Sequence, residues 1–425
     1  MDTGNTAWVL VSAALVLFMT PGLAFFYGGM VRSKNVLGML MQNFFCMGIV
    51  SVLWAVAVFS LAFGKDVGGG FVGNLGFAGL RHLADAATTL PGYAGDFALS
   101  VPPLAFVAFQ LMFAIITPAL ITGAIADRMK FAAWALFVGV WLVLVYAPVA
   151  HWVFSPQGWL FKRGALDFAG GTVVHINAGV AALAVVLVLG KRRGWPAEAM
   201  APHSLPFTLL GTGILWFGWF GFNAGSALGA NGLAAQALVN THMAAAAALL
   251  GWLLVERVKG GHPTTLGAAS GAVAGLVAIT PCAGFVGTMS AIVIGFLAGV
   301  VCFLAIQLKF RFRYDDALDV VGVHLVGGIL GSLLLGLFAD AGINALGADG
   351  LFAGGGLSLL GKQLLAVGAT LVWSFVISFL LAKAIDATIG LRVTADQEAE
   401  GLDVTQHAEA AYAYGDFGSM GRVGS

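Results

Sequence analysis

Two histidines have the residue types and the spacing to handle a proton in apolar surroundings. His175 and His324 each lie in an apolar, glycine-rich segment, and each follows an aspartate, Asp167 or Asp316, by eight residues. An ionisable side chain in an apolar span is costly, so it is a candidate functional group. Two such histidines at matched positions are a stronger indication than one.

Paired imidazoles could share a proton. A neutral imidazole has one donor and one acceptor, so two rings can hydrogen-bond to each other and still offer polar contacts to a passing molecule. Such a pair would titrate as a unit, and charging both rings in lipid would be strongly disfavoured. The structural alternative is a pair of buried neutral rings, each satisfied by a backbone carbonyl.

A metal site is a further alternative. It would need additional His, Cys, Asp or Glu ligands near the pair. The other candidate histidines are expected at the ends of apolar spans or in loops: His151, His203, His242 and His262. We therefore expect no metal.

The two aspartates fall near the N-terminal ends of their helices. A carboxylate there caps exposed backbone amides and interacts favourably with the helix dipole. Capping is the preferred interpretation for Asp167 and Asp316, and direct contact with a substrate is the alternative.

The composition is that of an integral membrane protein. Of 425 residues, 60% are hydrophobic and 9% are charged, whereas about a quarter of the residues in a soluble domain are charged. The 60 glycines suit helices that pack closely in lipid. The formal net charge of zero gives no bulk attraction to nucleic acid.

Eleven apolar runs are long enough to cross a hydrocarbon core of about 30 Å. Lysine and arginine concentrate in alternate loops, which predicts that the N-terminus is outside and the C-terminus inside. The predicted spans are 7–30, 38–63, 101–124, 131–150, 171–190, 205–227, 236–256, 265–282, 288–308, 317–339 and 359–384.

The histidine segments open the fifth and tenth spans, so they would enter the membrane from opposite faces. This pattern predicts an inverted repeat of five plus five helices, with halves at about 7–190 and 205–339 and an extra helix at 359–384. Eight helical residues rise about 12 Å, so both histidines should lie near mid-membrane. The membrane domain would cover 1–385, and 386–425 would form a cytoplasmic tail.

Aromatic residues interleave with small ones in the stretch 214–226, which contains Trp219, Phe222 and Ser226. A candidate partner is the stretch 109–113 in the third span, which ends at Phe113. Close helix packing through the glycines is one interpretation. A cation held at an aromatic mouth beside a hydroxyl is the other.

Several motifs together resemble the ammonium transporter (Amt/Mep/Rh) family, in particular its bacterial Amt branch. They are Asp-Phe-Ala-Gly-Gly-Thr-Val-Val-His-Ile-Asn at 167–177, Gly-Trp-Phe-Gly-Phe-Asn-Ala-Gly-Ser at 218–226, Gly-Ala-Ile-Ala-Asp-Arg at 123–128, Phe-Tyr-Gly-Gly at 26–29, and the tail stretches 390–393 and 400–404. The resemblance covers nearly the whole chain.

The resemblance implies a homotrimer in which every subunit has its own pore. His175 and His324 match the pore histidines, and Phe113 and Phe222 match two stacked phenylalanines that close the outer mouth. Ser226 and Trp219 match positions of an outer recruitment site, and Asp167 matches a structural aspartate. The family usually has a tryptophan where this chain has Phe154, so either Phe154 or Trp159 would complete the site.

The function implied is ammonium uptake across the cytoplasmic membrane, with methylammonium as an analogue substrate. Ammonium would be recruited at the outer aromatic site and deprotonated, and ammonia would pass the paired histidines. An ammonium sensor that signals through its tail is the alternative. A membrane enzyme is disfavoured because no nucleophile, metal set or cofactor motif accompanies the histidines, and no cofactor is expected.

The tail carries a run of acidic residues after Arg392 and is too polar to span a membrane. The glycine-rich stretch after Tyr414 is expected to be a solvated end. For 390–412, the resemblance implies a folded collar against the inner face, where a trimeric PII signalling protein would dock.

Overall fold

The computed structural model describes residues 1–412, and within that range the chain is helical, with two isolated β-bridges and no strand. Ten helical segments are long and apolar enough to cross a membrane, and an eleventh, α8, is shorter. The segments are α1 Thr3–Met30, α2 Ser33–Phe63, α3 Pro103–Ile125, α4 Phe131–Lys162, α5 Gly171–Leu189, α6 Leu205–Ala224, α7 Gly232–Gly260, α8 Thr265–Ile279, α9 Thr288–Phe312, α10 Val321–Phe338 and α11 Ser358–Thr388.

These segments follow the predicted spans in order, and ten of the eleven are long and apolar enough to cross a membrane, but several boundaries differ. Segment α4 continues past residue 150 to Phe154 and, after a turn, ends at Lys162. Segment α8 ends at Ile279, before Pro281, rather than at 282. The predicted end ran on because residues 280–286 are apolar, yet they form turns.

Local sequence signals place several helix starts. Asn231 accepts a hydrogen bond from the amide of Ala234 (3.0 Å) at the start of α7, and Thr264 accepts one from Gly267 (2.8 Å) at the start of α8. Each cap satisfies an amide that has no partner within its own helix.

Segments α5 and α10 lie at the centre of the molecule and cross at two glycines. A Cβ on Gly179 would lie 2.5 Å from the backbone nitrogen of Leu325, and one on Gly328 would lie 3.1 Å from Cβ of His175. Each glycine is four residues after its own histidine. The crossing of α5 and α10 is therefore nearly symmetric. The glycine of each helix lets the other helix approach closely, next to a histidine.

Wide helical turns occur where the candidate residues lie. Turns of π-helix cover Gly171–Ile176, Val321–Leu325 and Phe220–Ala224. Such turns often mark functional positions, because one extra residue per turn redirects the side chains. The periodicity of the sequence did not predict them.

The two faces of the bundle can be named from the chain ends. The N-terminal face carries the loops at 64–102, 155–170 and 339–357, and the tail face carries the loops at 126–130, 190–204 and 306–320. Segment α5 starts from the N-terminal face and α10 from the tail face. This matches the opposed entry of the two histidine segments, and the complete five-plus-five repeat stays a prediction.

Two short helices of the tail, α12 (Ala395–Glu400) and α13 (Leu402–His407), pack on the tail face. The amide of Gly38 donates to Asp403 (2.8 Å), and the amide of Leu402 donates to Asn35 Oδ1 (2.8 Å). The tail from residue 390 is thus folded onto its own subunit up to residue 412. The stretch predicted as a solvated end, after Tyr414, lies outside the described residues.

The substitution Gly179→Ala tests the helix crossing. The added methyl group would meet backbone atoms of α10, so α5 and α10 must separate, and we expect a loss of stability of about 1–3 kcal/mol. The melting temperature of the purified protein measures this loss. Gly48→Ala is the matched control, because a Cβ on Gly48 would have no atom within 4 Å. Equal melting temperatures for the two variants would contradict a tight crossing.

Candidate functional site

The structure brings the two predicted histidines together. Nδ1 of His175 lies 3.3 Å from Nδ1 of His324, and the rings are nearly parallel, with centroids 5.4 Å apart. Both side chains are buried. Nε2 of His175 is buried without a hydrogen-bond partner among the described residues, so a backbone carbonyl does not satisfy this ring. One polar nitrogen therefore remains available inside an apolar region.

Asp167 caps the start of α5. Its carboxylate accepts hydrogen bonds from four successive amides, those of residues 170–173, at 2.7–3.2 Å. Gly170 adopts a left-handed conformation (φ 118°) that lets the chain turn around the carboxylate. Burial raises the pKa of Asp167, and the amide bonds oppose that rise.

Asp316 caps α10 in the same way from the opposite face. Its carboxylate accepts from the amides of Val320 (3.1 Å) and Val321 (2.7 Å). Burial, together with the nearby Asp319, raises the pKa of Asp316 to about 6. Both aspartates hold the starts of the histidine helices, as the capping interpretation predicts.

A cavity of about 490 Å³ opens at the N-terminal face above the histidines. Phe113, Phe154 and Ser226 line it, and the rings of Phe113 and Phe154 are 6.4 Å apart, nearly perpendicular. The Ser226 hydroxyl donates to the carbonyl of Phe222 (2.8 Å), which leaves its oxygen lone pairs to accept. This cavity combines aromatic faces with a polar oxygen, a setting suited to a small cation.

Two phenylalanines separate this cavity from the histidines. The rings of Phe113 and Phe222 are 4.4 Å apart. Phe113 lines the N-terminal-face cavity, whereas Phe222 lines a small cavity of about 10 Å³ that also contains His175 and His324. The small cavity has room for about one water-sized molecule, and its other lining residues are mostly apolar.

The position of Trp219 corrects the sequence interpretation. We expected it at the recruitment site, but it lines the small histidine cavity and stacks on His175, with centroids 5.4 Å apart. Its indole Nε1 donates to Thr280 Oγ1 (2.9 Å). Trp219 is almost one helical turn from Phe222, on the side away from the N-terminal face, which places it below the stacked rings rather than above them.

The structure also shows which of the two alternative rings, Phe154 or Trp159, lines the N-terminal-face cavity. Phe154 lines the N-terminal-face cavity. Trp159 instead stacks on Phe71 (5.6 Å), contacts Trp152 and lies under the guanidinium of Arg163. Phe154 is therefore the ring that faces the candidate site.

Gln110 is a candidate that the sequence interpretation missed. It lines the N-terminal-face cavity, and its side-chain oxygen is buried without a hydrogen-bond partner among the described residues. A buried acceptor of this kind requires a donor. The available signal was an amide in an apolar span, three residues before Phe113.

Within residues 1–412, no three His, Cys, Asp or Glu side chains come together as metal ligands. His242 was expected at a span end, and this prediction was wrong, because His242 lies inside α7, ten residues from its start.

The chain is similar in sequence to known proteins. The sequence pattern of the Ammonium Transporter Family matches residues 7–412. The chain belongs to the ammonium transporter family. It is 54% identical over 432 residues to an ammonium transporter of Mycobacterium tuberculosis (strain ATCC 25618 / H37Rv), covering 97% of this chain and 90% of that protein. It is 49% identical over 413 residues to one of Bacillus subtilis (strain 168), covering 97% and 99%.

Solved structures of the family share the fold. The crystal structure of Saccharomyces cerevisiae Mep2 superposes with a TM-score of 0.86 at 36% identity, covering 93% of this chain and 88% of that one. A structure named Sensor Amt Protein gives a TM-score of 0.86 at 31% identity, covering 96% and 98%. The chain is thus a multi-pass membrane protein of this family.

Replacing Asp167 with asparagine tests the cap. Asparagine has one acceptor oxygen, so about half of the four amide bonds are lost, and we expect a loss of stability of about 1–3 kcal/mol. Thermal unfolding of the purified protein measures this loss. Asp340→Asn is the control on the same face, since Asp340 is exposed and its carboxylate accepts one hydrogen bond among the described residues, from the Gly342 amide. We expect the control to change stability by less than about 0.5 kcal/mol.

Proposed function

We propose that this protein takes up ammonium across the cytoplasmic membrane, by binding ammonium at the N-terminal-face cavity and conducting ammonia past the histidine pair. One observation carries the proposal. The contacting rings of Phe113 and Phe222 lie between an aromatic cavity and a cavity that contains two contacting imidazoles.

The energetics favour conduction of the neutral molecule. Moving an ion of this size into a low-dielectric medium costs of the order of 20 kcal/mol in the idealised Born limit. Ammonia avoids that cost, whereas potassium cannot lose its charge. A proton left in the N-terminal-face cavity, or passed to the shared imidazoles, would therefore select ammonium over potassium.

Each residue has a role in this scheme. Phe113, Phe154 and Ser226 hold the cation, and the buried side-chain oxygen of Gln110 accepts a hydrogen bond from one of its N–H groups. Phe222 and Phe113 form the barrier. His175 and His324 give polar contacts beyond it, and Trp219 holds the plane of His175 by stacking.

The direction of uptake depends on orientation. The tail-face loops and the helix ends beside them carry most of the basic residues near the two faces, among them Arg128, Lys191, Arg193 and Lys309. By the positive-inside rule the tail face is cytoplasmic, and the N-terminal-face cavity opens outside.

We propose that the protein forms a homotrimer. His242 lies about 15 Å from the start of α7, at mid-membrane depth, and its side chain is exposed. It contacts Trp216 of α6 (5.4 Å), whose buried indole Nε1 has no partner among the described residues. An imidazole facing lipid at this depth is costly, and burial against a second subunit removes that cost.

An ammonium sensor is the second candidate. It is favoured by the similarity to the structure named Sensor Amt Protein and by the tail that is folded onto the tail face. Saturable methylammonium flux in proteoliposomes supports transport, whereas tight binding without flux supports sensing.

The variants His175→Ala and His324→Ala test the conduction mechanism. Each leaves one imidazole without its partner in an apolar passage, so we expect methylammonium uptake to fall at least tenfold and selectivity against potassium to be lost. Currents on a solid-supported membrane under ammonium and potassium gradients measure both. His262→Ala, an exposed histidine in a tail-face loop, should retain parental currents. Parental rates and selectivity in both pore variants would assign the pair a structural role only.

Truncation after Ala387 tests control by the tail. We propose that a trimeric PII signalling protein docks on the tail face, which α12 and α13 help to form. The truncated protein should still migrate as a trimer but show lower or less cooperative uptake. Truncation after Tyr412 is the control, since it keeps both tail helices.

The full-length protein should also retain purified PII protein, in a manner that ADP or ATP plus 2-oxoglutarate alters. If both truncated forms transport like the full-length protein and neither loses PII binding, control by the tail is excluded. Migration as a monomer would contradict the homotrimer.

A further inference from the structure

A second polar cavity lies on the tail face, between the α1–α2 connection, the α5–α6 connection and the tail helix α12. Its volume is about 430 Å³, and its charged lining consists of Arg32, Lys34 and Arg193 with Glu198 and Glu398. A neighbouring cavity of about 270 Å³ shares Arg32 and Glu198. This pair of cavities is separate from the candidate transport site on the other face.

The carboxylates nearby are largely committed to other cations or amides. Glu398 accepts from Arg392 (2.6 Å) through one oxygen and from the amide of Arg193 (2.7 Å) through the other. Asp127 is shared, lying 3.4 Å from Nε of Arg32 and 3.5 Å from Nη1 of Arg192. The lining of the larger cavity carries three cations against the carboxylates of Glu198 and Glu398, and Glu398 also pairs with Arg392.

The guanidinium of Arg32 has unused donors. Its Nε and Nη2 atoms are buried without a hydrogen-bond partner among the described residues, and the contact with Asp127 is an ion pair at 3.4 Å rather than a hydrogen bond. A buried donor that lacks an acceptor is unfavourable and requires an explanation. Because Arg32 lines the cavity, an acceptor with several oxygens bound there would be a partner for its guanidinium.

The other two cations hold the tail. The Lys34 ammonium donates to the carbonyl of Ala399, and Nη1 of Arg193 donates to the carbonyl of Ala395 (3.0 Å). Both acceptors are neutral, so neither contact cancels a positive charge. A ligand bound among these cations would contact groups that already join the membrane domain to α12.

We propose that this cavity binds an anion carrying a phosphate group, with Arg32 as its principal partner and Lys34 and Arg193 completing the site. A phosphate group offers several strong acceptors, and its geometry suits the two neighbouring donors of a guanidinium. The bound anion would link the α1–α2 connection to the docked tail. The proposal does not depend on the transport mechanism, because it concerns binding on the opposite face.

Titration calorimetry of the purified full-length protein with inorganic phosphate tests the site, with sodium chloride at equal ionic strength as the reference. We expect saturable binding that weakens at least tenfold in Arg32→Gln and in Arg193→Gln. Arg311→Gln removes the same charge from an exposed position on the same face and should bind phosphate like the parent. Arg193→Gln keeps the test valid if loss of the Arg32–Asp127 pair prevents folding.

The phosphate group could belong to a soluble anion or to a lipid headgroup. Vesicles of phosphatidylcholine with or without phosphatidylglycerol, added to the same proteins, distinguish the two. If the parent protein binds vesicles only when they contain phosphatidylglycerol, both cavity variants lose this binding and free phosphate does not bind, the site is assigned to a headgroup. Absence of saturable binding to either probe, or equal weakening in Arg311→Gln, would overturn the proposal.

Discussion

The structure depends on the contact between two neutral imidazoles in an apolar interior. Each ring is costly to bury alone, and a hydrogen bond to the other ring satisfies one nitrogen of each. The contact requires α5 and α10 to approach almost to backbone distance, which Gly179 and Gly328 permit. Packing and polar chemistry therefore constrain the same few residues.

Burying the starts of the two histidine helices, α5 and α10, leaves their first backbone amides in need of hydrogen-bond acceptors. Both helices begin among buried residues, where water cannot satisfy their first amides. Asp167, at the N-terminal face, and Asp316, at the tail face, accept hydrogen bonds from those amides. The carboxylates thus fix the starting points, and the glycines fix the crossing between them. Small shifts at either place would separate the rings.

The two faces of the molecule have different chemistry. The N-terminal face presents an aromatic cavity with a few polar oxygens, as suits a weakly held cation. The tail face presents arginines and lysines that contact backbone carbonyls of the tail. The proposed transport and its proposed control would therefore use separate surfaces of the protein, joined through the central helices.

By itself, the sequence determined the membrane class, the order of the eleven apolar segments, the paired histidines and their aspartate caps. Those features follow from hydropathy and from spacing along one helix. Only the tertiary structure decided that Trp219 lies beside His175, that Phe154 rather than Trp159 faces the cavity, and that Gln110 joins it. The reason is that π-helical turns change which side chains share a face, and that contacts between helices distant in sequence have no signature in the periodicity of either helix.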